Sequence, residues 1–194
     1  MVAGGGWERS GGSDIDSVNF NTSETYTEQE VQGATTDNGS WVAFLLNPTE
    51  TTANNTSVHS GFGTNWGIGA VSFFGVAQSS QPDNSTKTQH TSDASPQISI
   101  TPVVDDCVLV DIIEVPNSGI SISGADGGQT IVYSVSPTGH RVAMSYKILS
   151  GGGGVAQTMG WTLSGATTSN HVVISLAPAG GGGGIKKGSI IMVD

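Results

Sequence analysis

The apolar residues of this chain recur with a period of two and in short segments, the pattern of strands with one face buried. Across residues 15–20, Ile15, Ser17 and Asn19 fall on one face while Asp16, Val18 and Phe20 fall on the other. No window of eleven residues shows an apolar face at helical spacing. The composition points the same way, because 29 Gly, 25 Ser and 20 Thr among 194 residues are poor helix fillers and good turn and strand formers.

Further segments read as strands in order: Tyr26 to Val31, then the continuous run Trp41 to Leu46 closed by Pro48, then Gly67 to Val76. Unbroken apolar runs of this kind suit strands covered on both faces. Ile98 to Thr101 alternates, Asp105-Asp106 supplies a turn, and Cys107 to Val115 is the strongest strand signal. Thr130 to Val135, Arg141 to Leu149, Met159 to Leu163 and His171 to Leu176 complete the set, with Ser-Gly, Gly-Gly and Thr-Gly turns between them. Gln78 to Pro96 reads as a long surface loop or one that hides a short strand. About ten short strands predict an all-β fold, a two-sheet antiparallel sandwich of jelly-roll type.

Glycine divides the chain. Residues 1–14, with Gly4 to Gly6 and Gly11-Gly12, read as a flexible N-terminal arm carrying Trp7; residues 15–179 form the sandwich domain; residues 180–194 read as a Gly linker plus a strand-like tail. Within that tail Ile185, Ser189, Ile190, Ile191, Met192 and Val193 are the expected assembly residues, pairing either as a final edge strand of their own domain or with a neighbouring subunit.

Charge and cysteine narrow the functional classes. Six Lys and Arg against 16 Asp and Glu give a net charge of -10, and only Lys186 and Lys187 are adjacent, so nucleic acid is not an expected partner. No stretch reaches about 18 consecutive apolar residues, so no membrane partner is expected. Met1 to Arg9 lacks the basic start and apolar run of a signal peptide, so the chain is expected to stay where it is made. Cys107, the one cysteine, lies in an apolar run and is expected to pack as a small hydrophobe.

Several blocks, taken in order, carry a resemblance: Val18-Asn19-Phe20-Asn21, Trp41-Val42-Ala43-Phe44-Leu45-Leu46-Asn47-Pro48, Gly69-Ala70-Val71-Ser72-Phe73-Phe74-Gly75-Val76, Met159-Gly160-Trp161-Thr162-Leu163-Ser164 and Val172-Val173-Ile174-Ser175-Leu176. Over roughly residues 15 to 179 the chain resembles a widespread group of jelly-roll sandwich domains of phage structural proteins and bacterial surface proteins. The resemblance implies a fold and carries no catalytic residues. Members of that group have further strands before the block equivalent to Val18-Asn19-Phe20. The Gly/Ser-rich start of this chain predicts that those strands are missing and leave an edge for the tail of a neighbour.

No catalytic constellation stands out. His59, His90 and His140 sit in polar, loop-like context and are expected to be solvated; His171 begins a strand and is expected at its surface or edge; no serine lies in a Gly-x-Ser-x-Gly elbow. No two histidines have zinc-ligand spacing, and Asp105, Asp106, Asp111 and Glu114 lack the spacing of a calcium loop. No cofactor or metal is therefore expected. Asn65 and Trp66 are the candidate glycan contact, since sugars stack on exposed aromatics, while Trp41 and Trp161 read as core. Asn21, Asn38, Asn54, Asn55 and Asn84 fit the glycosylation pattern.

The expected function is a non-enzymatic structural subunit of a repetitive assembly, most simply a virion protein in a capsid decoration or tail, with its own copies or other virion proteins as partners. An extracellular filament subunit joined by strand exchange and a carbohydrate-binding host-attachment module are the alternatives.

Overall fold

The computed structural model describes residues 1–8, 15–20, 24–33, 38–49, 56–60, 65–180 and 184–193; for 8, 15–16, 30, 56–60 and 189–193 it describes the backbone alone. Among these residues no helix forms. The strands are β1 (Val2–Glu8), β2 (Ile15–Phe20), β3 (Glu24–Thr25), β4 (Thr27–Gly33), β5 (Asn38–Phe44), β6 (Thr56–Ser60), β7 (Trp66–Phe74) and β8 (Asn84–Asp93) in the first half. The second half adds β9 (Gln97–Ile100), β10 (Val108–Val115), β11 (Ile122–Ala125), β12 (Thr130–Val135), β13 (Arg141–Ile148), β14 (Gln157–Leu163), β15 (Thr167–Leu176) and β16 (Lys186–Val193).

The protein is an all-β sandwich, as the alternation predicts. A front sheet of order β16-β7-β1-β5-β4 packs on a back sheet of order β12-β13-β10-β15-β8, and each carries a three-stranded sheet on its outer side, β3-β2-β6 and β11-β14-β9 respectively. Between the two large sheets lies the main core, in which Val2, Val42, Val71 and Phe73 meet Val110, Ile112, Met144, Val172 and Ile174. Val18, Phe20 and Tyr26 cover Trp41, Ala43, Ile68 and Ala70 on the outer side of the front sheet. Met159 and Trp161 of β14 cover Leu109, Ile113 and Val173 on the outer side of the back sheet. Both faces of β5 and β10 are thereby buried, which explains why apolar residues fill consecutive positions in them, as in Trp41 to Phe44 and Val108 to Val110.

One expectation is corrected, and two that were left open are decided. The N-terminal segment, read as an arm, contributes β1 to the middle of the front sheet, paired with β5 on one side and β7 on the other, so a strand precedes β2 in the chain. Residues 9–14 of that segment lie outside the described residues. The physical reason is close approach rather than flexibility. Gly6 and Gly67, paired across β1 and β7, face the back sheet so tightly that a Cβ would fall 2.7 Å from Glu114 Cγ and 2.8 Å from Val142 Cγ2. The Tyr133 ring lies over Gly69, and its hydroxyl donates to the carbonyl of Gly4 at 2.8 Å.

Gln78 to Pro96, read as a surface loop or one hiding a short strand, contains the ten-residue strand β8 at the edge of the back sheet. Of the two pairings open to the tail, the structure has the one within its own chain: β16 runs antiparallel to β7, Lys186 opposite Phe74 and Val193 opposite Ile68, with an irregularity between Lys187 and Ile190. Ile185 is buried in the main core. Asp105-Asp106 forms the turn predicted for it. Asp106 Oδ1 accepts from the Gly151 amide at 2.6 Å and Asp105 Oδ1 from the Gly153 amide at 2.8 Å, holding a tract in which Gly151, Gly152 and Gly154 all have positive φ.

Candidate functional site

Two polar clusters are built into the back sheet, one on each face of β10. Odd-numbered residues of β10 point to the outer layer and even-numbered ones to the front sheet, so Asp111 and Glu114 serve different interfaces.

Asp111 is fully buried. Its cross-strand partner Ser145 donates to Oδ1; the indole Nε1 of Trp161 in β14 reaches Oδ2 at 2.8 Å, and Nε2 of His171 in β15 stands 2.9 Å from the same oxygen. Gln129 extends the network, donating from Nε2 to Ser145 Oγ at 2.7 Å and accepting from the Gly160 amide at 2.8 Å. Four strands and a turn thus converge on one carboxylate.

His171 is fully buried, which corrects its placement at a surface or edge, and His140 is buried rather than solvated. A back-sheet position for His171 places it one strand away from Asp111, and the outer layer then seals both. His90, in β8, is mostly buried as well; its ring centroid lies 5.7 Å from that of His171, and its Nδ1 lies 3.7 Å from the half-exposed carboxylate of Asp93. Burial chiefly, and then the neighbouring His171, lower the His90 pKa, with Asp93 opposing them. The backbone of His59 lies in β6.

On the other face, Asn170 donates to Glu114 Oε2 at 2.8 Å and accepts from Gln89 Nε2 at 3.0 Å. A third hub, Asp83, accepts from the Val103 amide at 2.7 Å and Ser175 Oγ at 2.9 Å, with Cys107 Sγ at 3.6 Å. Cys107 is buried as expected, and burial together with Asp83 pushes its thiol up to about 12. It is no nucleophile at neutral pH.

Chemically, these clusters hold layers together. In Asp111, His171 and Ser145 the serine bonds to the carboxylate and not to the imidazole, so the residues of a nucleophilic triad are present without its relay. Among the described residues no group of three or more His, Cys, Asp or Glu is placed to hold a metal ion. A shallow groove of about 450 Å³ runs past Asp106, Ile148, Leu149, Pro178 and Ile185, and none of the clustered carboxylates or imidazoles opens into it.

Compared with protein-family models, characterised proteins and solved structures, the chain matches none.

Of the other candidate residues, Asn65 is exposed and Trp66 is partly buried, its ring 6.1 Å from that of Trp7. Trp7 itself is buried at 4% exposure, a further consequence of β1 being a central strand rather than an arm. Ser189, Ile190, Ile191, Met192 and Val193 are placed by backbone in β16, while Asn21, Asn54 and Asn55 lie outside the described residues. Asn84 uses its amide to donate to the Thr101 carbonyl at 2.8 Å.

Asp111 carried a signal that sequence reading did not use. A carboxylate in the middle of Leu-Val-Asp-Ile-Ile-Glu-Val must be paired if the strand is buried on both faces, and His, Trp and Ser are the partners to seek.

Proposed function

We propose that the chain is a non-enzymatic structural subunit of a repetitive assembly, in the first place a virion protein, and that β16 is its contact element. The supporting observation is the place of β16. It occupies the edge of the front sheet, pairs with β7 alone in that sheet, and follows a tract of glycines from Gly180 to Gly184. A strand held by one ladder can pair with the β7 of another copy at little cost, because every backbone bond is remade in the exchanged state. The buried clusters at Asp111 and Glu114 fit this reading, since their polar groups are committed to joining layers. The likeness to phage sandwich domains favours a virion, and an extracellular filament would use the same exchange.

The test is to measure the mass of the full chain by light scattering beside a version lacking residues 185–194 and a Lys186→Cys/Phe74→Cys variant, whose register-paired cysteines lock the tail onto its own sheet. The reading expects assemblies from the full chain, none from the truncated form, and none from the locked form until it is reduced. A full chain that stays monomeric at high concentration overturns it.

A further inference from the structure

The seam between β8 and β15 holds a second device, independent of β16. His171 is fixed by Asp111, its Nε2 2.9 Å from Oδ2, and its Nδ1 is buried without a hydrogen-bond partner. His90 lies alongside at 5.7 Å between ring centroids, and its own buried Nε2, like Nδ1 of His171, has no hydrogen-bond partner among the described residues. The ladder between these strands slips close to this point, between Thr167 and Ser169, where Ser169 pairs with His90. β8 is an edge strand with β15 as its one partner in the back sheet.

We propose that the His90–His171 contact is an acid-operated latch, which keeps the end of edge strand β8 on β15 at neutral pH and releases it when His90 takes up a proton. A proton on His90 places a cation in a mostly buried seam, with one ring nitrogen lacking an acceptor and a second imidazole against its face. Peeling the last residues of β8 away brings the cation into water and separates the rings. An edge strand is free to do this, because it breaks one ladder and not two.

The charged groups around the seam set the direction. On the outer side stand Asp111 of β10, which is occupied by its three donors, and Asp93 of β8, whose half-exposed carboxylate offers His90⁺ a partial partner at 3.7 Å. The facing strands β9 and β14 carry no titratable residue. On the front-sheet side Lys87 belongs to β8 and Glu114 to β10, and β4, which packs against both β8 and β15, carries Glu28 and Glu30. Burial and His171 together outweigh Asp93, so the closed state binds the His90 proton more weakly than the open state does. Closure is therefore complete above the ordinary imidazole value of about 6.5 and is lost as the pH falls below it, on the order of tenfold in the opening equilibrium per pH unit within that window.

Hydrogen exchange of the full chain, read by mass spectrometry as protection factors at pH 7.5 and 5.5, tests the latch. The peptide spanning residues 84–93 is expected to lose on the order of tenfold in protection at the lower pH, while that spanning 108–115 keeps its own. His90→Gln is expected to abolish the difference. Asp93→Asn, which removes the partial partner of the cation, is expected to enlarge it. Unchanged protection of 84–93 in the native chain, or a pH dependence that survives His90→Gln, overturns the proposal. An NMR titration of the native protein serves if that variant does not fold: a His90 midpoint at or above about 6.5 also overturns it.

Discussion

At the scale of single residues, the back sheet depends on what its buried polar atoms touch. Removing the Asp111 carboxylate strands Trp161 Nε1 and His171 Nε2 in a sealed layer and takes the acceptor from the Ser145 hydroxyl, so Asp111→Ala is expected to lower unfolding stability by about 3–5 kcal/mol, measured by urea denaturation. The same variant should change Trp161 fluorescence before global unfolding, because that indole is the direct tie between β14 and β10. Cys107 gives a prediction of the opposite kind. With its thiol pushed up to about 12, the native chain should resist iodoacetamide at pH 8 and react fully in denaturant, which intact-mass spectrometry would register.

At the scale of elements, the front sheet approaches the back sheet through its glycines, and substitution there separates tight packing from open space. Gly69→Ala drives a methyl into the Tyr133 ring and is expected to cost about 1–3 kcal/mol, whereas Gly124→Ala in β11, which meets nothing within 4 Å, should stay within about 0.5 kcal/mol of the parent; urea midpoints of the two variants decide this. The same contrast explains what could be read in advance. β5, β7 and β10 were legible because burial on both faces leaves apolar residues at consecutive positions. β1 was not, since Val-Ala-Gly-Gly-Gly-Trp is the composition of a linker, and what turns it into a central strand is the approach of Ile112 and Glu114 from another sheet. β8 was hidden for a different reason: as an edge strand it alternates between half-buried and exposed, and its Asn, Thr, Lys and Gln side chains carry no apolar period. His171 was misjudged because its burial depends on the outer layer β11-β14-β9, whose position no local pattern encodes.

At the scale of the whole molecule, the net charge of -10 is spread over a chain with only six Lys and Arg. Copies repel one another, and contact through a sheet edge works against that repulsion. Self-association is therefore expected to strengthen between about 20 and 500 mM salt as screening shortens to a few ångströms, the reverse of a basic protein held on nucleic acid; light scattering across that range checks the sign. The central place of β1 has a separate consequence, for the order of events during folding. A strand made before its partners β5 and β7, which follow about thirty and sixty residues later, must wait unpaired while the intervening chain is synthesised. Exposed waiting strands are where nascent β proteins aggregate, and three consecutive glycines make this one a poor template for cross-β stacking. The tract that allows the two sheets to close tightly at the end also keeps the unfinished chain from sticking to its neighbours at the beginning.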